Sequence, residues 1–252
     1  MIRKIINFLN KAGIDPIKLL KFIYVFPKIF VNYLAVLLKK KNNKFKIRFS
    51  PVVDTDTQQI DYHYFYQDLI VSQKIYISNP INHLDIGSRV DGFISSLATF
   101  RKVDVMDIRD TELKNKNINF IKSDLMEPIN ENFMSKYYSI SCLHALEHFG
   151  LTRYGDEFDL DGHIKGLNNI TRLLKSNGEL YLSLPLGKKN TICYNAHRIF
   201  TLKEVINFIK SEYVVKEVIV IDEKNNINYD INYKDFNINF DYGVGIFILN
   251  KR

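Results

Sequence analysis

From residue 62 onward, the apolar positions follow either the spacing of helices or the short continuous runs of buried strands. The runs predict strands near 82–86, 103–107, 118–121, 137–143, 179–184, 213–221 and 243–249. The helical spacing predicts helices near 62–78, 92–100, 164–175 and 202–210. The Asn177-Gly178 pair is expected to stop the third helix and turn the chain. This alternation predicts an α/β domain with a doubly wound, Rossmann-like, mostly parallel sheet.

The first 59 residues have a different pattern and are predicted to form a helical extension of a domain that covers 60–252. Two or three helices are expected within 1–45: one over roughly 2–12, one with Pro16 in its first turn, and one that Pro27 breaks or kinks. Residues 45–59 are expected to be a linker. The apolar stretch 19–38 contains lysines and a proline, so a membrane-spanning helix is not expected.

Charge separates the same two regions. The net charge of +7 arises from residues 1–48, where twelve basic residues face one acid and give +11, so that residues 49–252 carry −4. Nucleic acid is therefore not favoured as the main partner. Two interpretations of the basic segment remain open. It either caps the domain or a dimer interface, or it contacts an anionic membrane surface, with Lys39–Lys41 at its edge.

The cellular compartment is indicated by cysteine usage and by the first residues. Cys142 and Cys193 belong to no CxxC pair, so a reducing compartment without disulfides is expected. Asn7 and Lys11 interrupt the first apolar run, and no secretion signal is evident. The prediction is a cytoplasmic protein, with peripheral contact at the inner face of the membrane if the basic segment binds lipid.

The most informative stretch is 83–92, with the sequence His-Leu-Asp-Ile-Gly-Ser-Arg-Val-Asp-Gly. It closes a predicted strand and leads into a predicted helix. A glycine at such a turn lets the backbone approach a ligand, and the helix N-terminus offers free N–H groups. The arrangement suits a nucleoside cofactor.

This stretch and the strand pattern resemble the class I S-adenosylmethionine-dependent methyltransferases over residues 60–252. The segments His144–Gly150 and Asn195–Thr201 resemble more closely a group of bacterial methyltransferase-like proteins associated with the synthesis of surface polysaccharides such as capsule. The resemblance implies a seven-stranded sheet whose last strand is antiparallel. It also implies a ligand at the carboxyl ends of the strands.

The resemblance assigns cofactor-binding roles by position. Asp85 and Gly87 match the acid and the first glycine of the cofactor loop, Asp107 matches the acid that accepts hydrogen bonds from the ribose hydroxyls, and Asp124 matches the residue that holds the adenine amino group. His144 would line the methionine end. The predicted set is Asp85, Gly87, Ser88, Arg89, Gly92, Asp107, Ile108, Asp124, Leu125 and His144. The alternative for the three acids is helix capping and turn formation.

The cofactor loop departs from the family pattern at one position. Arg89 stands where a second glycine is usual, and Asp91-Gly92 suggests an extension by one residue. The Arg89 guanidinium is expected to pair with a carboxylate, either that of the methionine moiety or Asp91, or else to block the site.

Candidate chemistry follows the fourth and fifth strands, in His144, Glu147, His148 and His197. A helical turn over 144–148 would bring the first three together. All four then resemble the metal site of some methyltransferases that act on vicinal hydroxyls, such as the small-RNA 3′-terminal 2′-O-methyltransferases, where Glu usually replaces His144. The alternatives are a catalytic role without metal for His148 or His197, beside Glu147, and a purely structural role. A zinc peptidase is not favoured, because the motif follows a strand.

The loop 153–163 is acidic and carries two aromatic residues, Tyr154 and Phe158. Its acids would suit sugar hydroxyls and its aromatic rings a sugar face. The alternative is a solvated loop whose Asp161 caps the next helix.

Together these features predict methyl transfer from S-adenosylmethionine to a hydroxyl of a sugar, nucleotide-sugar or glycolipid intermediate of surface polysaccharide synthesis. One alternative is a cofactor-free scaffold in a membrane-associated polysaccharide complex. Another is a nucleotide-sugar enzyme of a different reaction type.

Overall fold

The computed structural model describes residues 61–252, except for 112–114, 194–195 and 230, and scattered positions between 15 and 34. Internal contacts divide the chain into two units, Met1–Ile60 and Asp61–Arg252. In the first unit, the described positions from Pro16 to Leu34 are helical, and the Leu19 amide donates to the Asp15 carbonyl oxygen (3.0 Å), so a helix begins at Pro16 as predicted. The predictions for 2–12, 39–41 and 45–59 lie outside the described residues.

The second unit is built on a sheet with the spatial order β3-β2-β1-β4-β5-β10-β8-β9. Strands β1 to β5 are parallel, and β10 lies antiparallel between β5 and β8. A separate antiparallel pair is formed by β6 and β7. The strands are β1 (His83–Ile86), β2 (Val103–Asp107), β3 (Ile118–Lys122), β4 (Tyr137–Leu143), β5 (Leu174–Leu186), β6 (Thr191–Cys193), β7 (His197–Ile199), β8 (Tyr213–Ile221), β9 (Ile227–Asn228) and β10 (Gly243–Lys251).

One helix precedes β1, and the others lie between strands of the sheet. They are α1 (Tyr62–Ser78), a π turn (Val90–Ile94) that continues into α2 (Ser95–Ala98), α3 (Gly162–Leu173) and α4 (Leu202–Ile209). Local side chains define the helix ends. Asp61 accepts a hydrogen bond from the Tyr64 amide at the start of α1, Asn79 ends that helix in the left-handed region (φ 40°), and Thr201 accepts from the Glu204 amide at the start of α4 (3.2 Å).

The core lies on both faces of the sheet, as a doubly wound fold requires. Alternate residues of β10 show this directly. Phe247 and Leu249 pack into the cluster that contains α3 and α4, whereas Ile246 and Ile248 pack into the cluster that contains α1 and α2. The predicted fold class is confirmed. The sheet has the seven expected strands with an antiparallel β10.

Three details differ from the predictions. Asn177-Gly178 does not end α3 but forms a bulge inside β5: Tyr137 pairs with Leu174, whereas Ser139 pairs with Glu179. An eighth strand, β9, adds to the sheet through a turn in which the Asp222 carboxylate accepts hydrogen bonds from the backbone. The β6–β7 hairpin was also not predicted, because strands of two or three residues carry too little periodicity to detect.

A membrane-spanning segment was not expected. Among the residues described, no helix combines the length and the apolar character that crossing a membrane requires.

Candidate functional site

A cavity of about 280 Å³ opens at the carboxyl ends of β1, β2, β3 and β4. This is the edge where open α/β sheets bind their ligands. Its wall is completed by α1 and by the loop that follows β4. The lining includes Tyr64, Asp68, Gly87, Ser88, Arg89, Asp107, Ile108, Arg109, Asp124, Leu125, His144, His148, Arg153, Tyr154 and Asp156.

Asp85 stabilises the loop after β1 through hydrogen bonds on the side away from the cavity. The Asp85 carboxylate is fully buried and accepts hydrogen bonds from the Ser88 amide (3.2 Å) and the Ser141 hydroxyl (3.0 Å). Burial raises the pKa of Asp85 to about 7. Gly87 has a φ of +68°, which favours glycine, and a Cβ there would lie 3.0 Å from the Cβ of Ala145. Asp85 therefore shapes the loop without lining the cavity.

A buried polar chain continues from Asp85 beneath the loop. Ser141 donates its one hydroxyl proton to Asp85, so the Nε2 of His83, 3.0 Å away, donates to the Ser141 oxygen. His83 Nδ1 is then free to accept from the Ser139 hydroxyl at 2.8 Å. Burial lowers the pKa of His83 to about 3, which keeps the imidazole neutral. The chain fixes the loop across β1 and β4.

Asp107 ends β2 and faces the cavity, as predicted. Its carboxylate is buried and accepts hydrogen bonds from the Arg109 amide (2.8 Å) and from the Arg109 guanidinium (Nε to Oδ1, 2.9 Å). The hydrogen bonding to Asp107 raises the pKa of Arg109. The guanidinium also lies 5.0 Å from the ring centre of Tyr154. A ligand diol on Asp107 would share this carboxylate with Arg109.

Asp124 lies in the turn after β3 and lines the cavity beside Leu125. One carboxylate oxygen accepts a hydrogen bond from the Met126 amide (2.8 Å). Asp85 and Asp107 also accept from amides two or three residues further on, so all three acids form local turns. The structural alternative from the sequence is thus observed. It coexists with exposure to the cavity for Asp107 and Asp124.

Arg89 and Gly92 occupy different surroundings from the rest of the predicted set. The Arg89 guanidinium pairs with Asp91 (2.9 Å), and its side chain is 61% exposed. The cavity remains open beside it, so Arg89 does not fill the site. A Cβ on Gly92 would lie 2.8 Å from an Asp68 carboxylate oxygen, so Gly92 packs against α1 and does not line the cavity.

The residues after β4 form a 3-10 turn, Leu146–His148, in place of the predicted helical turn. His144 has a φ of +50°, a strained conformation for a residue with a side chain. Its Nδ1 lies 2.8 Å from an oxygen of the buried Glu147. Burial alone would raise the pKa of Glu147, but the neighbouring His144 and His148 outweigh it and hold that pKa below its usual value.

His148 has a fixed tautomer. Its Nδ1 lies 2.6 Å from the Ala196 carbonyl oxygen, which cannot donate, so Nδ1 carries the proton. Nε2 is left without a proton, and it makes no hydrogen bond within the described part of the chain. Burial lowers the pKa of His148 below its usual value, so the imidazole is neutral at pH 7. His148 therefore presents a basic nitrogen at the cavity wall.

The predicted metal ligands do not fit that role. His144 Nδ1 is bonded to Glu147, and His148 Nδ1 is turned to a carbonyl oxygen. The His197 ring centre lies 6.4 Å from that of His148, and neither His197 nor Glu147 lines the cavity. Across the described ranges, no three His, Cys, Asp or Glu side chains form a group that could hold a metal ion. These residues are therefore assigned no role in binding a metal ion.

Arg198 is a site residue that the sequence analysis missed. It is buried, and its guanidinium donates to four carbonyl oxygens: those of Glu147 (3.2 Å) and Phe149 (2.6 Å) after β4, and those of Asp159 (3.1 Å) and Leu160 (3.0 Å) before α3. It closes the loop 147–160 into a compact unit. Its position within the segment Asn195–Thr201 was the available signal.

The acidic loop 153–163 is held by contacts of its own carboxylates in addition to those of Arg198. Asp161 stands at the N-cap position of α3, but its side chain makes no capping hydrogen bond, so this part of the alternative interpretation of the loop is wrong. Asp159 accepts from the Asp161 amide (2.8 Å) and pairs with Lys165. Asp156 and Tyr154 line the cavity, whereas the exposed Phe158 does not.

Residues 81–244 match the family described as "Caenorhabditis protein of unknown function, DUF268". This match spans well over half of the sequence. The chain belongs to the DUF268 family. The match includes all ten predicted cofactor residues and excludes Tyr64 and Asp68 of α1. Among curated proteins, no match to the chain is found.

Solved structures resemble this DUF268 chain in fold. The 1,6-didemethyltoxoflavin-N1-methyltransferase of Burkholderia thailandensis, with bound S-adenosylhomocysteine, is 11% identical over 90% of this chain and 89% of its own (TM-score 0.56). The N-methyltransferase NodS of Bradyrhizobium japonicum, also with S-adenosylhomocysteine, is 12% identical over 87% and 98% (TM-score 0.53). The [4+2]-cyclase SpnF is 10% identical over 92% and 96% (TM-score 0.56).

These similarities establish the fold of class I S-adenosylmethionine-dependent methyltransferases for this DUF268 chain. Identities of 10–12% do not carry a substrate across, and a cyclase shares the fold with the two N-methyltransferases. The family description does not mention surface polysaccharides, so that part of the predicted resemblance stays a prediction.

Proposed function

We propose that this protein transfers a methyl group from S-adenosylmethionine to a hydroxyl oxygen of a sugar, nucleotide-sugar or glycolipid intermediate, as in surface polysaccharide synthesis. The observation that carries the proposal is the arrangement of one cavity. The acids Asp107 and Asp124 lie at the ends of neighbouring strands on one side, and the unprotonated Nε2 of His148 belongs to the other side.

The cofactor side has the chemistry that S-adenosylmethionine requires. The Asp107 carboxylate can accept hydrogen bonds from vicinal ribose hydroxyls, and Gly87 has no side chain to obstruct the ligand. Ile108 and Leu125 supply apolar contacts for a base, and Asp124 an acceptor for its amino group. When bound, the cofactor supplies a sulfonium methyl group as the electrophile.

The acceptor side supplies a base. We expect the acceptor hydroxyl to give its proton to Nε2 of His148 while its oxygen bonds to the methyl carbon and the methyl–sulfur bond breaks. The Ala196 carbonyl oxygen holds Nδ1–H and so keeps Nε2 available, and Glu147, 3.8 Å from Nε2, stabilises the imidazolium that forms. A hydroxyl is weakly acidic and benefits from such a base. Tyr154 also lines the cavity, with the guanidinium groups of Arg109 and Arg153 packed over its ring.

The test is calorimetric titration with S-adenosylmethionine and S-adenosylhomocysteine. We expect micromolar binding that weakens about 100-fold in Asp107→Ala, because two hydrogen bonds to a charged group are lost. Asp110→Ala is the matched control, since Asp110 is an exposed acid three residues away that pairs with Lys122. Equal binding by both variants would exclude Asp107 as the ribose ligand.

One observation favours a second candidate, a cofactor-free scaffold. Arg109 already donates to both oxygens of Asp107, where the ribose would bind. Under this alternative, the wild-type protein binds neither cofactor form, and Arg109→Ala creates or strengthens binding. Under the methyltransferase proposal, the wild-type protein binds and the substitution has a smaller effect.

We also propose that the basic N-terminal unit contacts an anionic membrane surface. Leu20, Ile23, Tyr24 and Val31 are more than half exposed, and residues 1–48 carry a net charge of +11. The full chain should sediment with vesicles that contain phosphatidylserine and remain in solution with phosphatidylcholine vesicles at the same salt concentration. No difference between the two vesicle types would exclude the contact.

A further inference from the structure

The turn Thr152–Asp156 places the positively charged side chain of Arg153 at the proposed acceptor side of the cavity. Asp156 fixes the turn, because its two carboxylate oxygens accept hydrogen bonds from the Thr152 and Tyr154 amides, each at 3.1 Å. Thr152 and Gly155 both have positive φ values, 64° and 90°, which close the turn tightly. As a result, Arg153, Tyr154 and Asp156 all line the cavity.

Arg153 differs from the other two arginines that line the cavity. Arg89 pairs with Asp91, and Arg109 pairs with Asp107. Arg153 donates one hydrogen bond to the Ala196 carbonyl oxygen (3.0 Å) and lies 5.2 Å from the ring centre of Tyr154. It has no carboxylate partner within the part of the chain that the structure describes. The remaining N–H donors of its planar guanidinium are available to a ligand.

Arg153 is also close to the proposed base. The Ala196 carbonyl oxygen accepts hydrogen bonds from both His148 Nδ1 (2.6 Å) and Arg153 (3.0 Å). An acceptor held by the guanidinium would therefore place its neighbouring hydroxyl groups near the imidazole. Both carboxylate oxygens of the nearby Asp156 accept hydrogen bonds from backbone amides, and Glu147 is buried against His144. Neither acid therefore competes with a ligand anion for the Arg153 guanidinium.

We infer that Arg153 binds an anionic group of the acceptor, either a carboxylate or a phosphate, so that the acceptor is an acidic saccharide. Guanidinium groups bind both anions through paired, charge-assisted hydrogen bonds. The inference deepens the proposed function and rests on it for the role of the ligand as methyl acceptor.

The test uses three saccharides: glucose 1-phosphate, glucuronate and methyl glucoside, which is neutral. Each is titrated into the full chain with and without saturating S-adenosylhomocysteine. We expect at least one of the two anionic saccharides to bind at least ten-fold more tightly than methyl glucoside. Preference for glucose 1-phosphate identifies a phosphate acceptor, and preference for glucuronate identifies a carboxylate acceptor.

The variants decide whether Arg153 is responsible. Arg153→Gln should reduce the affinity for the preferred anionic saccharide at least ten-fold, to that for methyl glucoside. It should leave the affinity for S-adenosylhomocysteine within two-fold of the wild-type value. Arg153→Lys keeps the charge but lacks the planar guanidinium, so its affinity for the anionic saccharide should lie between those of the wild type and Arg153→Gln. Arg172→Gln removes another exposed positive charge, from the last turn of α3, and should change neither affinity.

Two results would overturn the inference: equal binding of anionic and neutral saccharides, or an anionic preference that survives in Arg153→Gln. A failure of the methyltransferase proposal looks different. In that case S-adenosylhomocysteine does not bind, while the Arg153-dependent preference for an anion persists.

Discussion

The two sides of the cavity are built in different ways. On the proposed cofactor side, Asp107 ends a regular strand and Asp124 lies in the turn after the next one. Each is oriented by its own neighbours: Asp107 by the Arg109 amide and Asp124 by the Met126 amide. On the acceptor side, the chain between β4 and α3 has little regular structure. Its shape depends on residues about 40 to 50 positions away, chiefly Arg198 and the Ala196 carbonyl.

The difference separates the site residues that the fold itself positions from those that distant contacts position. A nucleoside cofactor needs an acid at a strand end, and a parallel sheet supplies strand ends at one edge. An acceptor site has to be assembled from distant segments, here the loop 144–160 and the β6–β7 hairpin. Under the proposed function, the fold accounts for the residues that would bind the cofactor, and the distant contacts shape the site that would bind the methyl acceptor.

The largest effect is expected for Arg198→Met. The substitution removes a buried guanidinium donor from four carbonyl oxygens, one of them buried and three partly buried, so the free energy of unfolding should fall by about 3 kcal/mol. Urea unfolding measures this fall. If the comparison holds, limited proteolysis should cut within 147–160 while binding of S-adenosylhomocysteine survives in the folded fraction.

Arg172→Met is the control for Arg198, because it removes an exposed arginine from α3. Unchanged stability and unchanged proteolysis of Arg198→Met would show that the acceptor side does not depend on this residue.

The next effect concerns His148. We expect His148→Gln to lower turnover by roughly 100- to 10,000-fold, the range for loss of a general base, with the affinity for S-adenosylhomocysteine unchanged within three-fold. His197→Gln should cost much less, because His197 does not line the cavity. Transfer of radiolabelled methyl groups to the acceptor measures both.

The pH profile sharpens the same prediction. A base works in its neutral form, and burial lowers the pKa of His148 below 6.5. Activity should therefore stay constant from pH 8 to pH 7 and fall only as the pH drops below 6.5. His148→Gln should lack this fall, and a profile that is identical in both proteins would contradict the assignment.

The smallest effect is expected for Arg89→Ala. Arg89 is largely exposed and pairs with an exposed acid, so the free energy of unfolding should change by less than about 1 kcal/mol. The affinity for S-adenosylhomocysteine should remain within three-fold, because Asp91 holds the guanidinium. Titration of Arg89→Ala beside Asp91→Asn measures this. A large loss of affinity in Arg89→Ala but not in Asp91→Asn would show that the Arg89 guanidinium breaks its ion pair with Asp91 and binds the cofactor.

Much of the cofactor side was predictable from the sequence. The motif 83–92 predicted the turn after β1, and the resemblance to the class I methyltransferases singled out Asp107 and Asp124, which line the cavity. Asp85 and Gly92 were placed there as well, but the structure puts one beneath the loop and the other against α1. Sequence spacing identifies a loop, but the contacts that face inward decide which of its residues reach the ligand.

The amino-acid sequence by itself determined the doubly wound fold, the edge of the sheet where the cavity opens and the acids at that edge. The fold follows from periodicity, which is a local property, whereas the edge and its acids follow from the resemblance to the class I methyltransferases. Only the tertiary structure decided that His148 turns Nδ1 to Ala196, that Arg109 covers Asp107, that Arg198 closes the acceptor loop and that Arg153 lacks a carboxylate partner. Each of these depends on hydrogen bonds whose donors and acceptors meet only after the chain has folded, or on side-chain orientations that no periodic pattern encodes.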